Sequence, residues 1–316
     1  MNSFFRRILT LSALLPVFIF AKAQDLPPNN LSFPDEPVSI PFIWKGDSIN
    51  CKWDVQAALL IPVKLDGCPR QFYMQFDLGS PYSLFYTNKL AAIGKRYKKT
   101  VQVMDTAKKL SGLDFTLAGL RVKAAEIVLR AFGAEGISSS NKQIEIIGTI
   151  GTDLLDNREA AIDYPGRSIN LNFHPEDSLR TADLYYARRM ILFPTVIAGK
   201  KTILYFDTGS SAFELLTSKA TIESLASADA KPVRYKVNSW GKMLEAVTFP
   251  VNDSIEIGTA KLPLTNATYI EGASDTQVQQ MMKMGIGGMT GNKLFLHSTL
   301  FLDLKKKKFA ITSGNK

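Results

Sequence analysis

Phe72-Tyr73-Met74-Gln75-Phe76-Asp77-Leu78-Gly79-Ser80 and Thr202-Ile203-Leu204-Tyr205-Phe206-Asp207-Thr208-Gly209-Ser210 are two copies of one pattern. Each is an apolar run of strand composition that ends in Phe-Asp-x-Gly-Ser. Each follows a second apolar run across a turn signal. The first copy has Leu59-Leu60-Ile61-Pro62-Val63 and the turn Asp66-Gly67. The second has Ile191-Leu192-Phe193-Pro194-Thr195-Val196 and the turn Gly199-Lys200. Two apolar runs around a turn predict a β-hairpin in each copy. The two aspartates lie 130 positions apart.

A second pair of segments repeats in the same order. Gly148-Thr149-Ile150-Gly151-Thr152-Asp153-Leu154-Leu155 leads to Ala161-Ile162-Asp163-Tyr164. Gly288-Met289-Thr290-Gly291-Asn292-Lys293-Leu294-Phe295 leads to Phe301-Leu302-Asp303-Leu304, at a constant offset of 140. One Asp-x-Gly-Ser is common, but an ordered pair of pairs predicts two equivalent lobes. Residues 116–129 and 246–257 are rich in β-branched and apolar types and read as further strands. Short helices are expected at 83–93, 211–225 and 277–284. Ser211 and Glu214 have capping-box spacing at the second of these. The lobes are expected at 50–178 and 179–316, behind an extended lead-in or propeptide at 24–49.

The remaining sequence narrows the chemistry. The chain has 316 residues, 46% hydrophobic and 21% charged, as in a folded globular protein. With two histidines, His174 and His297, and two cysteines, Cys51 and Cys68, no Cys/His metal cluster is expected, and no cofactor. Residues 1–23 read as a secretory signal: Arg6-Arg7, an apolar run at 8–20, then Ala21-Lys22-Ala23. An exported location, in periplasm, envelope or medium, is therefore expected, with no later membrane span. Export permits a Cys51–Cys68 disulfide. Three basic and no acidic residues lie in 1–23, so the formal charge of +9 falls to +6 after cleavage. The run Lys305-Lys306-Lys307-Lys308 reads as a solvated turn between strands, and no nucleic-acid module is evident. Gly285, Gly287, Gly288 and Gly291 lack the lysine and strand–loop–helix context of a phosphate loop.

Equivalent residues of pseudo-symmetric halves face each other across the interface, which brings Asp77 and Asp207 together. Two carboxyls a few ångströms apart cannot both ionise cheaply and share a proton. The ionised member can then act as general base on a water, and the protonated member as general acid. Gly79 and Gly209 would allow the tight turns, and Ser80 and Ser210 would bond the outer carboxylate oxygens.

These motifs resemble the pepsin and retropepsin superfamily of aspartic proteases over roughly residues 50–312. Phe-Asp-Thr-Gly-Ser at 206–210 and the later glycine segments carry the resemblance. It implies a mainly β, bilobal fold with two pseudo-symmetric β-barrel lobes of retropepsin size and short helices. It implies psi loops at Gly148, Gly151, Gly288 and Gly291, which thread under the aspartate turns. It also implies an endopeptidase with Asp77 and Asp207 as the dyad and a peptide or protein as substrate. A monomer is expected.

Leu78 stands where the family has Thr or Ser, whose hydroxyl crosses to the other lobe. Thr208 retains its half of that contact. A hairpin tip at 238–242, with Trp240, reads as a flap, and its first-lobe counterpart near 106–112 lacks an aromatic. These departures keep a second reading open, a weak or inactive peptide-binding protein on the same fold.

Overall fold

The computed structural model describes residues 28–49, 52–104, 106–175, 179–239, 242–271 and 284–313. The signal segment 1–23, Cys51, Trp240 and most of the expected helix at 277–284 lie outside these residues. Cys68 is described, half-buried, with a free thiol.

Both predicted hairpins are present. Lys52–Leu65 pairs with Phe72–Phe76, and Met190–Ile197 pairs with Lys200–Phe206. Ala198 and Gly199 both have positive φ, the backbone of a tight two-residue hairpin turn. In each lobe six strands close into a ring. The first ring runs Lys52–Leu65, Phe72–Phe76, Ile146–Ile150, Leu84–Tyr86, Leu120–Arg130, Lys109–Leu117 and back to the start. The second runs Met190–Ile197, Lys200–Phe206, Ile286–Thr290, Leu215–Thr217, Ala260–Glu271, Lys242–Ile257 and back. The chain is thus mainly β, with two β-rich lobes.

The predicted psi loops are visible in the pairing. Ile146–Ile150 lies between the strands on either side of the Asp77 turn, parallel to one and antiparallel to the other. Ile286–Thr290 lies the same way around the Asp207 turn. A Cβ on Gly148 would sit 2.3 Å from the Leu84 carbonyl oxygen, and one on Gly288 would sit 2.5 Å from that of Leu216. The inserted strand therefore needs glycine where backbone passes over backbone.

This insertion also corrects the helix starts. Residues 84–86 and 215–217 are strands, because they form the far side of each psi loop. The helices are the shorter Thr87–Arg96 and Lys219–Leu225. Ser211 and Glu214 do not form a capping box. Ser211 Oγ donates to the Thr208 carbonyl, the Glu214 carboxylate accepts from Thr265 and Asn266, and Ser218 caps the helix instead. The stretch 116–129 is broken by a turn at Ala118-Gly119, both of positive φ.

A six-stranded sheet joins the lobes in the order Ala182–Asp183, Lys308–Ser313, Ser298–Asp303, Glu159–Asp163, Ser168–Leu171, Val38–Pro41. Its two central strands are the ends of the second sequence repeat. Ala161 pairs with Phe301, Ala160 with Leu302 and Ile162 with Leu300. Equivalents at an offset of 140 meet only at Ala161 and Phe301, so the pseudo-twofold axis passes there. The lysine run forms the turn that joins two neighbouring strands of this sheet, Ser298–Asp303 and Lys308–Ser313, with Lys307 at φ 56, matching Arg167 at φ 53 in the first half. The lead-in is woven into the fold. Val38–Pro41 completes this sheet, and Ile43–Ile49 pairs with Lys52–Leu65.

One apolar core runs through both lobes and includes Phe72, Phe76, Phe85 and Phe115 of the first and Phe193, Phe206, Phe295 and Phe309 of the second. Burying each such ring is worth about 1.5–3 kcal/mol. A separate cluster in the second lobe holds Tyr205, Phe213, Leu216, Val237, Ala246 and Met289. Val237 and Ala246 belong to the hairpin Val233–Ser239 and Lys242–Ile257, whose tip was read as the flap. Among the described residues the first lobe has no matching hairpin, since 106–108 lead straight into Lys109–Leu117.

Candidate active site

Asp77 and Asp207 stand at the ends of the strands Phe72–Phe76 and Lys200–Phe206, and both are fully buried. The psi strands fix them from below, because the Asp77 N–H donates to the Ile150 carbonyl and that of Asp207 to the Thr290 carbonyl. Each inner carboxyl oxygen accepts a backbone N–H. Gly79 donates to Asp77 Oδ1 at 3.0 Å, and Gly209 to Asp207 Oδ1 at 2.8 Å.

The two turns interlock across the lobes. A Cβ on Gly79 would lie 2.4 Å from Asp207 Oδ1, and one on Gly209 would lie 2.5 Å from Asp77 Oδ1. Neither glycine has a positive φ. They are needed less for the turn than for the space that the opposite carboxyl occupies. Thr208 makes its expected cross-lobe contact. Its Oγ1 accepts from the Leu78 N–H at 2.8 Å and donates to the Phe76 carbonyl at 2.8 Å. Leu78 is fully buried and, being a hydrocarbon, makes no reciprocal pair. Thr208→Val is therefore expected to cost about 2 kcal/mol, read as a lowered denaturant midpoint, because it strands a buried N–H and a carbonyl. An unchanged midpoint would mean the contact carries no stability.

The serines part company. Ser210 Oγ donates to the outer oxygen of Asp207 at 2.9 Å, as expected. Ser80 Oγ turns away and donates to the Tyr82 carbonyl at 2.7 Å. The bend through Pro81 brings that carbonyl within reach. Asp77 Oδ2, buried, is left without a hydrogen-bond donor from any described group.

Two symmetric pairs of supporting residues escaped the sequence reading. Tyr205 and Gln75, each two before its aspartate, cross the interface. Tyr205 Oη donates to the Gly79 carbonyl at 3.1 Å, and Gln75 Nε2 to that of Gly209 at 3.5 Å. Thr152 and Asn292, each just after a psi-loop glycine, hold the turns. Thr152 Oγ1 donates to the Leu78 carbonyl and Asn292 Nδ2 to that of Thr208, both at 2.8 Å. Their signal was the repeat itself, since offsets of 130 and 140 relate the partners. Gly151 and Gly291 must be small there too. A Cβ would meet the Tyr82 carbonyl carbon at 2.5 Å and the Ser210 carbonyl oxygen at 2.0 Å.

Burial dominates the electrostatics. It raises the Asp77 carboxyl well above the ordinary carboxylate range, and the neighbouring Asp207 charge adds to the effect. Burial also pushes Asp207 up to about 6, held back by its bonds to Ser210, Asp77 and Gly209. A buried carboxyl pair of this kind holds one proton between its members. Asp153, bonded by Ser83 N and Oγ, is a separate buried acid pushed up to about 6. Among the described residues no group of three His, Cys, Asp or Glu could hold a metal, and no helix is long and apolar enough to cross a membrane. The two histidines are exposed and distant in role, and His174 pairs with Glu159.

In fold the chain is similar to the aspartic proteinase of Irpex lacteus. The TM-score is 0.52 at 12% identity, over 89% of this chain and 98% of that one. No family model and no curated protein matches the sequence. At that identity the likeness is one of fold, the bilobal pepsin-like aspartic protease fold.

Proposed function

We propose that this chain is an exported aspartic-type endopeptidase, built as two retropepsin-sized lobes in one polypeptide, with Asp77 and Asp207 as its catalytic dyad. One observation carries the reading: carboxyls from equivalent turns of the two lobes meet, each filling the space beside the other's glycine. Such a pair supplies a general base and a general acid at one point, which is what water-driven cleavage of an amide needs. The substrate is a peptide or protein held between the lobes, and the working unit is a monomer. The signal at 1–23 directs it out of the cytoplasm.

A second reading has its own support. The dyad carboxyls have no exposed surface, and Leu78 removes half of the inter-turn lock. Both features suit a protein that binds peptides without turning them over. The test is hydrolysis of a mixed quenched-peptide library by the chain from residue 24, from about pH 3 to about 7.5. Cleavage fastest on the acid side of neutrality is the expected result. A folded protein that binds peptides and cleaves none at any pH would favour the second reading.

A further inference from the structure

The two halves of the dyad are not chemically equivalent. Both inner oxygens receive a glycine N–H, at 3.0 Å for Asp77 and 2.8 Å for Asp207. The outer oxygens differ. Asp207 Oδ2 receives the Ser210 hydroxyl at 2.9 Å, whereas Asp77 Oδ2 receives nothing, because Ser80 Oγ is spent on the Tyr82 carbonyl. The Ser210 hydroxyl also lies 3.3 Å from Met289 Sδ, a weaker acceptor than a carboxylate. The titratable groups facing the pair are the phenols of Tyr86 and Tyr205. Tyr86 Oη is engaged with Thr149 and Tyr205 Oη with the Gly79 carbonyl, so neither hydroxyl is bonded to an aspartate.

A buried carboxylate with an unmet oxygen is costly, and one with a donor on each oxygen, as Asp207 has from the Gly209 N–H and the Ser210 hydroxyl, is much less so. From this asymmetry we propose that Ser210 is a positioning residue that fixes the division of labour. Asp77 holds the shared proton and acts as the acid, and Asp207 is the base. The inference rests on the peptidase reading for its chemistry. The water oxygen bonds to the scissile carbonyl carbon while its proton passes to Asp207. The Asp77 proton passes to the carbonyl oxygen. Collapse of the resulting gem-diol breaks the C–N bond. Asp207 delivers its proton to the leaving nitrogen, Asp77 takes one back from a diol hydroxyl, and the dyad is restored.

The test compares the two serines. Ser210→Ala removes a donor from the ionised base, so the acidic limb of the kcat/KM–pH profile should move up by about one pH unit. Ser80→Ala should leave that limb where it is, and Ser210→Thr should restore it. An arm that needs no turnover follows the aspartate carboxyls by 13C NMR in the unsubstituted protein. The signal absent from Asp207→Asn should be the first to ionise as pH rises, before the one absent from Asp77→Asn. The proposal is overturned if Asp77 ionises first, or if Ser80→Ala shifts the limb as far as Ser210→Ala does. If the protein cleaves no peptide but the NMR order holds, the assignment stands and the peptidase reading alone fails.

Discussion

Asp77→Asn and Asp207→Asn should each lower kcat/KM for peptide hydrolysis by about a thousandfold or more, while the protein stays folded. General acid–base contributions run to roughly 10²–10⁴-fold each. In a dyad that shares one proton, loss of either member removes both functions, since an amide neither takes a proton from water nor gives one to the leaving nitrogen. The fold has little reason to suffer. Asn at position 77 still presents a donor toward Asp207, as the protonated acid does, and an oxygen for the Gly79 N–H. Stability against pH should separate the variants from the parent. The folded-state carboxyls titrate above the unfolded value of 3.8, so the folded state binds the extra proton. The stabilisation that this provides is complete below the unfolded value. It is lost as pH rises through about 6, where Asp207 titrates. Denaturant midpoints should therefore fall for the parent between acid and neutral pH, and fall less for either variant. Hydrolysis surviving in a folded variant at more than about 1% of the parent rate, against the loss expected of an acid–base pair, would place the chemistry elsewhere.

The parts of the site legible in the sequence were those that repeat by type as well as by position. Phe-Asp-x-Gly-Ser recurs letter for letter, and the two later segments keep their glycines at one spacing, Gly148 and Gly151 against Gly288 and Gly291; these gave the hairpins, the psi loops and the meeting of the aspartates. Gln75 and Tyr205 recur by position only. One is an amide and the other a phenol, yet both reach the glycine carbonyl of the opposite turn. Thr152 and Asn292 hide in the same way, a hydroxyl and an amide doing one job. The failed readings have a common cause. Residues 83–86 and 211–217 have local signals that fit a helix, and the capping-box spacing of Ser211 and Glu214 strengthens them. Within them 84–86 and 215–217 are strands because the inserted psi strand needs a partner on each side, a requirement set by residues such as Thr149 and Met289, far along the chain. Ser80 was misread for a similar reason. Its identity to Ser210 suggested one role, but Pro81 bends the chain so that the Tyr82 carbonyl competes for its hydroxyl.

Gly79→Ala should destabilise the protein by about 3 kcal/mol, the upper part of the range for an added methyl in a closed site, and abolish any activity with it. The new Cβ would lie 2.4 Å from Asp207 Oδ1, 2.5 Å from its Cγ and 2.8 Å from its Oδ2, all far inside contact distance. The carboxyl cannot swing aside without leaving Ser210 Oγ and the Gly209 N–H. The lobes cannot part without breaking the bonds from Thr208 Oγ1 to Leu78 and Phe76. A double-mutant cycle isolates the cause. Asp207→Ala deletes all three atoms that the new methyl would strike, so in that background Gly79→Ala should cost less than about 1 kcal/mol, a coupling of about 2 kcal/mol between residues in contact. The pseudo-twofold axis requires the same of Gly209→Ala against Asp77→Ala, where the distances are 2.5, 2.6 and 2.8 Å. An equal cost in both backgrounds would show that the glycines serve only their own turns. The opposing carboxyls would then not be in contact, and the dyad would have no structural basis. Strong coupling in both cycles would establish the meeting of the two aspartates from stability alone, whether or not a peptide is ever cut.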